Sequence, residues 1–167
     1  RLNNRARRFD LVIWSDVGPA VKEFLKGSSK MRWNNFLWAK SLKNTFKKHK
    51  KELSVLAKKN NPIHPMYVSK MLSDLIDDQT IVIMDGGDYC HYFRAYLEAN
   101  HSNLWLYVSS FGMIGAALPY SIGAQVAFPD KKVVCVVGDG SLGFHAMEID
   151  TAVRHNLPLT IVVSNNS

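Results

Sequence analysis

Between residues 66 and 164 the chain alternates short unbroken apolar runs with segments whose apolar residues recur at helical spacing. The runs are "TIVIMD" (80–85), "LWLYV" (104–108), "KVVCVV" (132–137) and "LTIVVS" (159–164). The helical segments are 66–76, 89–99, 115–128 and 143–155. Runs that are apolar throughout, not at every second position, point to parallel strands covered on both faces. Strand–helix alternation then predicts an α/β fold: an open, mostly parallel sheet with helices on both faces and right-handed crossovers.

Upstream the pattern changes. "FDLVIW" (9–14) predicts a short strand, and "SDVGPAVKEFLKG" predicts a helix capped by Ser15 or Asp16 and stopped by Gly27. One strand and one helix have nothing to pack on, so residues 1–27 read as the tail of a preceding domain. In residues 28–60, Trp38, Leu42, Phe46, Leu53 and Leu56 recur at roughly helical spacing with lysines between them. This segment reads as a basic connecting helix. Pro62 and Pro65 then mark a boundary, and residues 61–167 form the remaining domain. The chain opens on "RLNN" and closes on "SNNS", just after an apolar run. It reads as a piece of a longer protein, truncated within its last domain.

Composition sharpens this division. The 167 residues are 47% apolar with a net charge of +7. Residues 26–60 carry +10, residues 1–25 carry +2, and residues 61–167 carry −5. A nucleic-acid or membrane-surface role for the basic segment is conceivable. Without an Arg cluster or a nucleic-acid motif, a solvated lysine face is the better reading. Neither nucleic acid nor membrane is expected as a partner. No apolar stretch is long enough to cross a bilayer, and there is no signal-peptide pattern. Cys90 and Cys135 lack Cys or His partners at metal-binding spacing, which suits a reducing cytoplasm.

The chemistry concentrates in "GDGSLG", Gly138 to Gly143. As a pattern it is G-x-G-x-x-G between a strand and a helix, the fingerprint of a dinucleotide site. Asp139 then sits where backbone would meet a pyrophosphate, and like charges repel. A dinucleotide site also wants an acidic residue at the end of the next strand; that strand ends in Ser164-Asn165-Asn166. A divalent cation removes both objections. Asp139 and Asn166 offer hard oxygen ligands of the kind Mg2+ takes beside phosphates. Twenty-four residues lie between Gly140 and Asn165, one helix crossover and a return strand. Gly138 to Ser141 would offer backbone N–H groups and a helix dipole to an anion. Ser141 could cap the helix and donate to a phosphate.

"GDGS", the 24-residue gap and "NN" resemble the diphosphate-binding motif of thiamine-diphosphate enzymes. "SFGMIGAALPYSIGAQVAFPDKKVVCVVGDGS" resembles the diphosphate domain of the acetolactate synthase and 2-oxo acid decarboxylase superfamily. "GFHAMEIDTAVRHNLPLTIVVSNN" resembles the same stretch in acetolactate synthases and 2-hydroxyacyl-CoA lyases. "DGGDYCHYF" is closer to acetolactate-synthase-like lyases than to the main biosynthetic synthases. The resemblance covers residues 61–167, and residues 9–27 look like the end of the family's central domain.

The resemblance implies a thiamine-diphosphate-binding fold. It makes Asp139 and Asn166 the side-chain ligands of Mg2+, a third ligand being a backbone carbonyl at position 168, outside this chain. Gly138, Gly140 and Ser141 would meet the diphosphate. The Gly112 carbonyl would accept from the cofactor's 4'-amino group, and Ile114 would be the apolar wedge that bends the cofactor. Gly87 and Asp88 would lie beside the diphosphate. Asp88 is electrostatically awkward there, and bonding through water, bonding to substrate and an N-cap role all stay open. His64, His91, His101, His145 and His155 have no acid–base partner at a legible spacing, and Glu148 reads as structural. No catalytic residue is expected in this chain, because the family's activating glutamate comes from a pyrimidine-binding domain.

The implied reaction is decarboxylation of a 2-oxo acid with carboligation, as when two pyruvates give acetolactate and CO2. The intact protein would be a homo-oligomer, at least a dimer, and the fragment alone inactive. The alternatives are a 2-hydroxyacyl-CoA lyase or another 2-oxo acid decarboxylase. More distant are a Rossmann-type nicotinamide oxidoreductase and a non-enzymatic basic module resting on residues 26–60.

Overall fold

The computed structural model describes residues 10–32, 36–98, 105–107 and 112–166. The chain forms two compact units, Arg1–Asn44 and Thr45–Ser167.

In the first unit, α1 (Val17–Ser28) follows Asp16 as its N-cap and has Ser29 as its C-cap, two residues beyond the expected stop at Gly27. Residues 10–14, the described part of the strand expected over 9–14, pair with no other strand among the described residues. A strand exists through its ladder, and no described neighbour pairs with this one. Ile13, Ala20, Phe24 and Met31 line an apolar groove beside α1. The basic segment forms α2 (Phe36–Leu56). Trp38, Leu42 and Phe46 are exposed along it. At its C-terminal end, Leu53 and the adjoining Ala57 pack with Met66 and Tyr96, and Lys50 pairs with Glu98.

The second unit continues with α3 (Pro65–Leu75), β1 (Thr80–Asp85), α4 (Gly87–Tyr96), β2 (Trp105–Tyr107), α5 (Ala117–Ala127) and β3 (Lys132–Gly138). It closes with α6 (Asp139–Gly143), α7 (Glu148–Arg154) and β4 (Leu159–Ser164). The four strands make a parallel sheet in the order β2-β1-β3-β4.

Side-chain alternation along the central strands builds a core on each face. Ile81 and Ile83 of β1 join Val133, Cys135 and Val137 of β3 under Ala117 and Ala124 of α5. Val82, Met84 and Val136 point the other way, against Tyr89, Cys90 and Phe93 of α4, with Val68 and Leu72 of α3 packed beside them. Every residue of β1 is buried, which explains its unbroken apolar run. The fold class expected from the sequence is therefore the one observed.

The helix predicted over 143–155 forms only as Glu148–Arg154. α6 is a single turn that begins at Asp139, and α7 begins only at Glu148. Gly143 and the exposed Phe144 and Met147 lie across the break. With no apolar face to bury through residues 144–147, one continuous helix gains little from packing.

Candidate functional site

The strand order reverses between β1 and β3, because the chain leaves β1 for β2 and returns past it to β3. In open α/β sheets that reversal leaves a crevice at the carboxyl ends of the strands. The register aligns those ends: Asp85 pairs with Val137, and Gly138 with Ser164.

A cleft of about 200 Å³ lies there. The turn after β1 contributes Gly86, Gly87, Asp88 and Tyr89. The turn after β3 contributes Gly138, Asp139, Gly140 and Ser141. Ser164 and Asn166 come from the end of β4, and Ile114 from the segment before α5. Eight of the nine site residues expected from the sequence thus line one cleft; Gly112, the ninth, does not. Gly112 lies two residues from Ile114 in the left-handed region, at φ +60°.

The local chemistry suits an anion held through a cation. Asp139 is exposed and makes no ion pair among the described residues. Neighbouring parallel strands deliver Asp139 and Asn166 to the same cleft, and carboxylate and amide oxygens are hard donors fitted to Mg2+. The residues present therefore fit a metal-bridged diphosphate. Because α6 is one turn, its dipole is small, and the backbone N–H groups of that turn carry most of the attraction for an anion.

Ser141 does not cap α6; the N-cap is Gly138. Its buried Oγ instead accepts from the Gly115 N–H at 2.9 Å. The hydroxyl proton stays available for a ligand oxygen. A Cβ at Gly86, where φ is +76°, would fall 2.6 Å from Ser141 Cβ. Gly86 therefore lets the two turns touch. It is also the N-cap of α4, which leaves Asp88 within the first turn and removes its N-cap reading.

The dinucleotide reading also lacks the packing expected of its last glycine. The last glycine of that fingerprint permits close helix–strand packing. A Cβ at Gly143, or at Gly140, would meet nothing within 4 Å.

Other groups settle into supporting roles. His64 Nδ1 accepts from the Met66 N–H at 3.0 Å and caps α3. The ring proton of neutral His64 is therefore on Nε2. Glu148 Oε2 accepts from the Thr151 hydroxyl. His91, His145 and His155 are exposed, His101 lies outside the described residues, and no metal-binding cluster of three His, Cys, Asp or Glu occurs among the described residues. Burial pushes the Tyr89 phenol up to about 12 and the Cys90 thiol up to about 11. No helix among the described residues is long and apolar enough to cross a membrane.

The sequence also placed the whole turn from Gly86 to Tyr89 beside the diphosphate and put Ser164 at a strand end, but it gave no role to Asp85 or Gly115. The "DGGD" turn was legible as a turn, but nothing in it showed that Asp85 is 3% exposed. Asp85 Oδ2 accepts from the Ala117 N–H at 3.1 Å, which ties β1 to α5.

Fold and cleft define an open α/β domain with a glycine-rich, polar cleft where its strand order reverses. Residues 85–167 match the family described as "Thiamine pyrophosphate enzyme, C-terminal TPP binding domain". This part of the chain belongs to that family, in the thiamine-diphosphate (thiamine pyrophosphate) enzyme superfamily. The chain is similar to acetolactate synthase large subunit IlvG of Mycobacterium tuberculosis, 37% identical over 105 residues, which is 63% of this chain and 19% of that one. It is similar to 2-hydroxyacyl-CoA lyase 2 of Bos taurus, 31% identical over 160 residues, which is 93% of this chain and 25% of that one. A solved neighbour is the thiamine diphosphate-dependent 4-hydroxybenzoylformate decarboxylase of Rhodococcus jostii. It is 25% identical with a TM-score of 0.57, over 62% of this chain and 20% of that one. The chain spans 19–25% of the length of these curated relatives.

Proposed function

We propose that this chain is the diphosphate-binding part of an enzyme that uses thiamine diphosphate and Mg2+ to decarboxylate a 2-oxo acid and join the product to a second carbonyl. The conversion of two pyruvates to acetolactate and CO2 is the type reaction. The observation that carries this reading is the convergence of Asp139, Asn166 and the Gly138–Ser141 turn on one cleft.

Bound thiamine diphosphate supplies a nucleophilic thiazolium carbon and an electron sink for decarboxylation. Asp139 and Asn166 hold Mg2+ through their side-chain oxygens. The Gly140 N–H and the Ser141 hydroxyl donate to the diphosphate, and Gly138 and Gly87 leave its oxygens room. The Gly112 carbonyl would accept from the aminopyrimidine, and Ile114 would supply an apolar contact to the cofactor. Asp88 lies at the mouth, where it meets water or substrate. These residues bind and orient; proximity is their share of the catalysis. The activating carboxylate comes from a pyrimidine-binding domain outside this chain, so the working unit is a homo-oligomer, at least a dimer. Residues 1–27 are the tail of a central domain, 28–60 a connecting helix, and 61–167 the cofactor domain. The setting is cytoplasmic.

A second reading, 2-hydroxyacyl-CoA lyase, is favoured by one observation. The similarity to the bovine lyase extends over 93% of the chain, through the basic segment, where that to the mycobacterial synthase covers 63%.

The test uses the full-length protein with thiamine diphosphate and Mg2+. It is given pyruvate in one arm and a 2-hydroxyacyl-CoA in the other, with Asp139→Ala as control. Acetolactate and CO2 formation that needs Asp139 supports the synthase reading. Aldehyde and formyl-CoA formation supports the lyase. A full-length protein that binds no thiamine diphosphate overturns both.

A further inference from the structure

Three chain segments meet above the sheet, and two buried hydrogen bonds tie them together. Asp85 closes β1, and its Oδ2 accepts from the N–H of Ala117, the first residue of α5, at 3.1 Å. Ser141 in α6 accepts at Oγ from the N–H of Gly115 at 2.9 Å. Asp85 makes no ion pair among the described residues. A buried carboxylate without a cation is costly unless fixed donors meet its charge.

The start of α5 supplies such donors. Its N-cap is Ala116, whose side chain cannot cap, so the first N–H groups lack an intrahelical partner. The helix dipole adds partial positive charge at that end. Asp85 thus acts as an N-cap delivered from a neighbouring strand, and each group satisfies the other.

The segment just before Ala117 carries Ile114. The two segments also approach closely there. Gly115 has φ +99°, and a Cβ on it would fall 2.7 Å from Phe144 Cβ. The segment is therefore pinned at Gly115 from the turn after β3 and at Ala117 from the end of β1.

We propose that Asp85 is a positioning residue for the cofactor: by holding the start of α5 it fixes the 112–115 turn relative to the diphosphate turn. Asp85 does not line the cleft, so it acts through that turn and touches no ligand. Ser141 completes the link, because its oxygen holds Gly115 while its proton stays free to donate to a ligand oxygen. Filling the diphosphate end of the cleft therefore also steadies the Ile114 end. The inference rests on the cofactor reading of the cleft and adds a residue outside it.

The experiment uses the full-length protein and its Asp85→Ala and Asp85→Asn variants, with two readouts. The first is amide hydrogen exchange of residues 115–118 without cofactor. The second is the dissociation constant of thiamine diphosphate with Mg2+, read from quenching of protein fluorescence. Losing a hydrogen bond to a charged acceptor corresponds to about a tenfold effect or more. Asp85→Ala is expected to speed exchange there and to weaken cofactor binding by about that factor, with exchange in β3 unchanged. Asp85→Asn keeps an acceptor oxygen and is expected to restore most of both, which a purely electrostatic role for Asp85 would not give. Wild-type exchange and affinity in Asp85→Ala overturn the proposal, as does an Asp85→Asn variant no better than Asp85→Ala. If the wild type binds no thiamine diphosphate, the functional reading fails and the cofactor role with it. The exchange arm then still decides whether Asp85 holds α5.

Discussion

Gly86 and Gly87 are adjacent and both lie in the left-handed region, at φ +76° and +61°, yet alanine should affect them very differently. At Gly87 a Cβ meets nothing within 4 Å, so the cost is conformational, about 1–2 kcal/mol. At Gly86 the backbone sits at ψ 143° with positive φ, a region nearly exclusive to glycine, which costs about 1–3 kcal/mol. There the new Cβ also falls 2.6 Å from Ser141 Cβ and 3.0 Å from its Oγ. Ser141 is held by Gly115 and cannot swing aside freely, so overpacking adds about 1–3 kcal/mol. Gly86→Ala should therefore cost about 2–6 kcal/mol in total. The assay is urea unfolding of the full-length protein without cofactor, comparing both single variants, Ser141→Gly and the Gly86→Ala/Ser141→Gly double variant. Removing the Ser141 Cβ should relieve the clash, giving a favourable coupling of about 1–3 kcal/mol in the double-mutant cycle. Equal losses for Gly86→Ala and Gly87→Ala, or a cycle with no coupling, would refute the claim that these two turns touch through this glycine.

Asp139→Ala and Asn166→Ala should each abolish Mg2+-dependent thiamine diphosphate binding and leave the unfolding midpoint near the wild-type value, because both side chains are exposed; calorimetry of cofactor binding beside thermal unfolding checks this. Tyr89→Phe should raise stability by about 1 kcal/mol in urea titration, because the buried Tyr89 hydroxyl has no hydrogen-bond partner among the described residues. Alkali should destabilise the fold. The Cys90 thiol is raised from 9.0 to about 11 and the Tyr89 phenol from 10.0 to about 12. A raised folded-state value means that the unfolded chain loses its proton first. The stabilising effect is thus complete below pH 9 and is lost as pH rises to about 11 for Cys90 and about 12 for Tyr89. The slope is about 1.4 kcal/mol per pH unit for each group. Unfolding midpoints measured from pH 8 to 11 should fall less steeply in Cys90→Ala, and an identical slope would count against burial as the cause.

The sequence by itself determined the four strands of the second unit, their parallel pairing and the two-faced burial. β1 and β4 fall at the expected residues because unbroken apolar runs such as "TIVIMD" have no other way to shed water. It also located most of the cleft, since a carboxylate in a glycine turn and a second ligand one crossover later can meet only at adjacent strand ends. What it misjudged depends on distant partners. "FDLVIW" has strand composition without a described neighbour to pair with. The 143–155 helix breaks where exposed Phe144 and Met147 have no apolar face to serve. Tertiary structure alone decided that Ser141 holds Gly115, that Gly86 must be glycine to admit Ser141, and that Asp85 caps a helix lying more than thirty positions ahead of it (32 residues). Local preferences and hydrophobic periodicity act over a few residues, so a sequence displays them directly. A hydrogen bond or close contact between turns of different strands exists only once the sheet has set their register.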